Sequence, residues 1–301
     1  MMFSGNFDWF SIDFNSICTT PGRLYVQITT DTICRMYHQQ NEPAIDRAKY
    51  LPNIFLLYYL VKRETIGKFR RHILGVSWII LGPLFTSTIM VCAFYGIFGV
   101  SSGSIFDYSM YVLSGVVLIQ FITGSLVNIA SSLINSRALI SKIRIPIFSF
   151  PLSALLLQVI NLSIGLSYLI FISFISKKVY FNVTSFAVTI FSLSIFVFGL
   201  GLLFAVFISK VPDFITLLPI ILQALTYITP IFYQESIWPS NVRSFLILNP
   251  FLYFTRAFRT SFGTVPFSEV NFIFLVLGSI TVLIAGIVVF RYSWKNTAKR
   301  L

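Results

Sequence analysis

Charge is scarce in this 301-residue chain: Asp, Glu, Lys and Arg make up 11% of it, while 56% is hydrophobic and 17% aromatic. A soluble globular protein carries about 25% charged residues. A chain this long with less than half of that has too little charge to cover a water-facing surface, and its mean hydropathy of +0.84 points the same way, to an integral membrane protein. Acidic residues are the scarcer kind, 10 against 22 basic ones, for a net charge of +12. In a soluble protein that excess would raise the question of nucleic acid; in a membrane protein, cytoplasmic loops collect Lys and Arg. Three cysteines, Cys18, Cys34 and Cys92, are an odd number without metal spacing, which excludes a disulfide framework or a zinc signature. The two histidines, His38 and His72, have no carboxylates arranged beside them for a metal site. Phosphate-loop, dinucleotide, zincin and nucleophile-elbow motifs are all missing, as is an acidic cluster that could hold a metal-bound nucleotide sugar. The first 20 residues do not read as a signal peptide, because Asp8 and Asp13 interrupt them and no basic region precedes an apolar core.

What is present is a set of six stretches free of Asp, Glu, Lys and Arg: 73–106, 108–136, 145–176, 179–209, 214–234 and 270–290. Each supplies the roughly 20 residues that a helix needs to cross a hydrocarbon core. With the N-terminus inside, seventeen basic residues fall on the inner side and five on the outer: Lys177, Lys178, Arg243, Arg256 and Arg259. That bias sets the orientation, with both termini cytoplasmic. The uncharged stretches hold no ionisable group of the kind an ion-coupled pump places in the membrane, so energy for transport must come from elsewhere, or the protein is a passive channel or scaffold.

The expected fold is all-α: six transmembrane helices, an N-terminal amphipathic interfacial helix, and two short outer-leaflet helices between spans five and six. Residues 1–50 read as a cytoplasmic extension without sustained periodicity. Residues 51–72 read as a surface helix, with Ile54, Leu57, Tyr58 and Val61 on one face and Lys62, Arg63 and Lys68 away from it. Residues 73–301 form the membrane domain. Span five, 214–234, contains Pro219 and Pro230, which interrupt the helix ladder and place it against protein rather than bulk lipid. A simple kink is the plainer reading of those prolines. Between Gln234 and Glu269, apolar runs cut by Pro239, Asn249–Pro250 and Pro266 are too short to span.

Four patches then carry a resemblance. The first is Arg63-Glu64, Lys68-Phe69-Arg70-Arg71, Leu74-Gly75 and Trp78, with Gly82-Pro83-Leu84 after it; the second runs from Asn135 to Pro146 and on to Pro151-Leu152-Ser153. The third is Pro212-Asp213-Phe214 beside Lys210, and the fourth is Thr229-Pro230-Ile231-Phe232-Tyr233, Asn249-Pro250-Phe251, Arg256 and Arg259. In this order they resemble the permease subunit of ABC-2 type polysaccharide exporters, the O-antigen, capsule and teichoic acid exporter family. Glu64, Lys68, Phe69 and His72 stand where that family's pattern has Asp, Arg, Tyr and Ser, and Ile145 stands for its Phe.

The resemblance implies a homodimer in the bacterial inner membrane, docked on two copies of a cytoplasmic ABC ATPase that binds ATP and Mg. The cargo would be a lipid-linked polysaccharide, with O antigen on polyprenyl pyrophosphate as first choice; neither cofactor nor metal, catalytic residue nor nucleic acid is expected on this chain. Asn135, Arg137, Leu139, Lys142, Arg144 and Pro146 are the expected coupling element to the ATPase; a purely topological role for the charges is the plainer reading. Arg63, Glu64, Lys68, Arg70, Arg71 and Trp78 form the expected gate at the lipid headgroups, where an Arg offers a bidentate fork to pyrophosphate; cations that only orient the first span are the plainer reading. Glu235, Arg256 and Arg259 are candidates for the outer exit, against ordinary headgroup contact. Among 33 Phe and 14 Tyr, Tyr95, Phe98, Tyr111, Tyr227 and Tyr233 are candidate channel-lining residues, against packing between helices.

Overall fold

A computed structural model describes residues 54–69, 77–97, 105–140, 145–175, 181–233, 249–263 and 271–298. The chain divides into two units, Met1–Tyr50 and Leu51–Leu301; every described residue lies in the second. The expected extension over 1–50 therefore lies outside the described residues.

Nine helices follow in order among the described residues: α1 Ile54–Phe69, α2 Ser77–Val91, α3 Ile105–Asn135, α4 Arg137–Ile140, α5 Ser149–Ile175, α6 Val183–Lys210, α7 Phe214–Ile228, α8 Pro250–Thr260 and α9 Phe272–Ala298. A π-helical segment, Cys92–Ile97, prolongs α2. No strand occurs among the described residues. Four helices are long and apolar enough to cross a membrane, over Asp107–Asn135, Ser149–Ser167, Val183–Lys210 and Phe272–Ser293; two shorter apolar helices cover Leu84–Gly96 and Phe214–Ile228.

Helix α3 is the centre of the bundle, packed by α2, α5, α6, α7 and α8. Its Val112, Leu118, Ile122, Leu126 and Ile129 are fully buried, whereas Ile273, Phe274, Leu277, Ile284 and Val288 leave an apolar face of α9 exposed. In lipid such a face costs nothing, because hydrocarbon surrounds it as it would surround a core. What holds α9 is a close crossing with α6. A Cβ on Gly199 would lie 2.6 Å from the Leu283 backbone, and one on Gly286 would strike the Gly199 carbonyl. Only glycine at both places lets the two backbones touch.

Three places refine the expected architecture, and at one of them, Pro219, an expected break is absent. On helix α1, Leu56 and Leu60 are buried and packed toward α5, while of the residues expected on one apolar face Ile54 and Tyr58 are exposed and Leu57 and Val61 half-buried. Residues four apart share a helix face, and the bundle has taken the Leu56–Leu60 pair and left Ile54 and Tyr58 outward. Pro219 does not stop α7, which runs through it to Ile228. The proline ring stands exposed and costs one hydrogen bond in the second turn; the break comes at Thr229–Pro230. One of the two short helices expected between spans five and six is α8, and it is packed into the bundle. Asn249 caps it by accepting from the Phe251 N–H at 3.0 Å, Pro250 starts it, and Phe251, Leu252, Phe254, Ala257 and Phe258 are buried. The second expected short helix falls outside the described residues.

Candidate functional site

Polar side chains gather at the two ends of α3. At its Tyr108 end lies the break in α7. Once that helix stops, the carbonyls of residues 230–233 have no helical N–H to accept from, and in apolar surroundings each bare carbonyl costs free energy. The bundle answers with side chains. Tyr108 Oη donates to the Phe232 carbonyl at 2.5 Å, and Tyr111 Oη to the Tyr233 carbonyl at 3.0 Å. Arg259, only 2% exposed, donates from Nη1 to the Pro230 carbonyl at 2.9 Å and from Nη2 to the Ile231 carbonyl at 3.0 Å and the Tyr111 carbonyl at 3.2 Å. Its guanidinium carbon sits 3.5 Å from the centre of the Tyr111 ring, a cation against a π-face. Asn249 closes the cluster by donating to Thr229 Oγ1 at 2.8 Å. Gly115 makes room: a Cβ there would come 2.6 Å from the Ile231 side chain and 3.0 Å from Arg259 Nη2.

This cradle joins three segments distant in sequence: α3, the end of α7 and α8. A planar fork with several donors suits it, because one ammonium cannot reach carbonyls spread on two sides. The cluster fixes the geometry of an otherwise irregular backbone, and so sets how α7 and α8 can move relative to α3.

At the other end, about 40 Å away along the axis of α3 by a rise of 1.5 Å per residue, α3 stops at Asn135. Ser136 turns the chain, its carbonyl accepting from the Leu139 and Ile140 N–H groups at 2.9 Å, and α4 begins at Arg137. Here Arg63 of α1 donates to Ser136 Oγ at 3.3 Å. The basic helix and the turn beyond α3, predicted as separate sites, are thus in contact.

The other predicted residues fall as follows. Asn135 is exposed and donates to Ser131 Oγ at 3.2 Å, Arg137 is exposed, Leu139 is half-buried, and the Pro146 carbonyl accepts from the Ser149 N–H at 2.9 Å. Glu64 is half-buried on α1. Lys68 lies in the last turn of α1 and Trp78 in the first of α2, with side chains outside the described part; Lys142, Arg144, Arg70, Arg71, Phe98 and Glu235 lie outside the described residues altogether. Tyr95 packs its ring 6.0 Å from that of Tyr108. Tyr227 is exposed, and its carbonyl accepts from Tyr233 Oη at 2.7 Å. Arg256 is half-buried on α8. Among the tyrosines picked as channel lining, Tyr111 and Tyr233 therefore spend their hydroxyls on the main chain. Arg259 is buried inside the bundle.

Sequence reasoning missed Tyr108, Gly115, Thr229 with Asn249 as a bonded pair, and Ser136 as the acceptor for Arg63. Pro230 and Asn249–Pro250 did mark where helices break, and a break in an apolar helix signals that donors must be found nearby.

Residues 56–263 match the family described as ABC-2 type transporter. No curated protein matches the chain. The match runs from α1 through α8, taking in both polar clusters. With four helices suited to crossing a membrane and that match over more than half its length, the chain is a multi-pass membrane protein that belongs to the ABC-2 type transporter family.

Proposed function

We propose that this chain is the membrane subunit of an ATP-driven exporter that carries a lipid-linked polysaccharide, first of all an O antigen on polyprenyl pyrophosphate, across the bacterial cytoplasmic membrane. Teichoic acid or capsular polysaccharide is the alternative cargo. Two copies would pair, each docked on a cytoplasmic ABC ATPase that binds ATP and Mg. On this reading α2 with its π-helical prolongation and α7 with the Thr229–Tyr233 stretch complete six crossings, and both termini are cytoplasmic. The family match carries the transport half of the reading. The polysaccharide half is supported by the basic approach Arg63, Lys68, Arg70, Arg71 followed by Leu74-Gly75 and Trp78. An exporter of a small hydrophobic compound or a lipid has less reason for that approach.

Mechanistically, the ATPase would push on the Asn135–Pro146 segment. The Arg63–Ser136 contact links that segment to α1, so one displacement moves both the inner turn and the basic helix. The ATPase closes and opens as a rigid body, and the bundle converts this into relative helix movement. Deleting the gene should abolish the surface polysaccharide and leave the lipid-linked glycan on the cytoplasmic side, with restoration only when both this chain and its ATPase are supplied. Unchanged surface glycan would overturn the proposal.

A further inference from the structure

Resting on that reading, we infer that one stripe of α3, with a group of amides on α5, borders a water-filled path and offers hydrogen bonds to hydroxyl groups of the cargo. The stripe begins at Gln120. Above it, Leu113, Val116 and Val117 on the same side are buried. From Gln120 to Asn135, about 22 Å along the axis, that side is more open: Gln120, Thr123, Gly124, Val127, Asn128 and Ile134 are half-buried and Asn135 is exposed, with only Ser131 in the row buried. The accessible side of the most enclosed helix is thus rich in amides and hydroxyls. The accessible side of α9 is built from Ile273, Phe274, Leu277, Ile280, Ile284 and Val288. Lipid explains the second and cannot explain the first, because an amide facing hydrocarbon gives up its hydrogen bonds to water.

Helix α5 adds to it. Gln158, 5% exposed, points at Gly124: a Cβ on that glycine would lie 2.8 Å from Gln158 Oε1. Asn161 Nδ2 donates to the same oxygen at 3.1 Å, and Asn128 Nδ2 donates to the Gly124 carbonyl at 2.7 Å. The Gln120 carbonyl accepts from Thr123 Oγ1 at 3.4 Å, while its side-chain amide bonds no other described residue and is left for water or cargo. Neutral amides suit a moving polyhydroxy chain: each both donates and accepts, and none carries a charge that would trap an ion. At Gln120 the stripe lies five residues from Gly115 in the Arg259 cradle, and at Asn135 it lies beside Ser136, where Arg63 is bound. It therefore runs between the two polar clusters.

The test is cysteine labelling in the full chain with its ATPase, in membrane vesicles, after Cys18, Cys34 and Cys92 are replaced by Ser. Gln120→Cys and Asn128→Cys should react with a small water-soluble maleimide at least ten-fold faster than Ile280→Cys and Ile284→Cys on the lipid-facing side of α9. A polyprenyl-linked glycan extract of the host should slow that reaction several-fold, and a phospholipid extract should not. Reaction as slow as at the α9 positions overturns the path. So does slow reaction together with oxidative cross-linking of Asn128→Cys between two copies, which would make the stripe a subunit interface. Fast labelling that the glycan extract leaves unchanged overturns the contact with sugar hydroxyls. None of these readings depends on the deletion phenotype, so failure of the polysaccharide proposal and failure of this one are told apart.

Discussion

Arg259 is the residue on which the geometry turns. Its fork holds the Pro230, Ile231 and Tyr111 carbonyls at once while its face covers the Tyr111 ring. A hydrogen bond to a charged group contributes about 1.5–3 kcal/mol, and a carbonyl left bare in the bundle adds its own desolvation cost. Arg259→Ala should therefore lower stability by roughly 3 kcal/mol or more, read as a drop in the thermal midpoint of the detergent-solubilised complex. Arg259→Lys keeps the charge but loses the fork, and should recover only part of that loss. A residue in ordinary headgroup contact would give no such difference, with Lys equivalent to Arg. Equal midpoints for the Lys variant and the parent would refute the cradle.

At the scale of elements, the α6–α9 crossing is the contact most sensitive to a single methyl group. The neighbours of Gly199 and Gly286 are backbone atoms, which cannot rotate aside as a side chain can. Gly286→Val should force the two helices apart and cost about 1–3 kcal/mol, seen as lower accumulation in the membrane and a lower unfolding midpoint. Gly278→Val is the matching control on the same helix, because nothing lies within 4 Å of its missing Cβ. It should leave both measurements unchanged. A loss at both positions would point to helix propensity and not to the crossing. The helix α7 shows the converse. Pro219 stands in it and is tolerated, whereas the break at Thr229–Pro230 is accompanied by a dedicated set of donors from α3 and α8.

For the whole molecule, the proposed division of labour makes the turn after α3 the place where force arrives. Arg137 is exposed at the start of α4. Joint Arg137→Glu and Lys142→Glu substitution should reduce copurification of the ATPase from detergent by at least ten-fold while membrane insertion is retained, since reversed charge adds repulsion as well as removing attraction. Undiminished copurification and export would reduce these charges to their part in orienting the chain. The Arg63–Ser136 bond lets a second effect be read in the same experiment. Ser136→Ala should leave ATPase binding intact and slow export, if movement of the turn reaches α1 through that contact.

Much of this protein was legible before any coordinate. The shortage of charge and the six uncharged stretches reported a helical membrane protein, because a helix in hydrocarbon must be long, apolar and internally hydrogen-bonded, and all three conditions are written in consecutive residues. Pro230 and the pair Asn249–Pro250 marked the ends of α7 and α8 for the same local reason. The membrane also erases a signal that soluble helices keep: both core and lipid faces are apolar, so periodicity cannot tell them apart. That is why the inward turn of Leu56 and Leu60 on α1, the burial of α8, and the division of the tyrosines proposed to line a channel into bonded Tyr111 and Tyr233 and exposed Tyr227 were not legible in the sequence. Which face of a helix is inside depends on neighbours tens of residues away. So does the meeting of Arg259 with Tyr111, 148 positions apart, and that of Arg63 with Ser136, 73 positions apart. Sequence determined the class and the breaks; tertiary contact decided the partners, because hydrogen bonds across the bundle are set by distance in space.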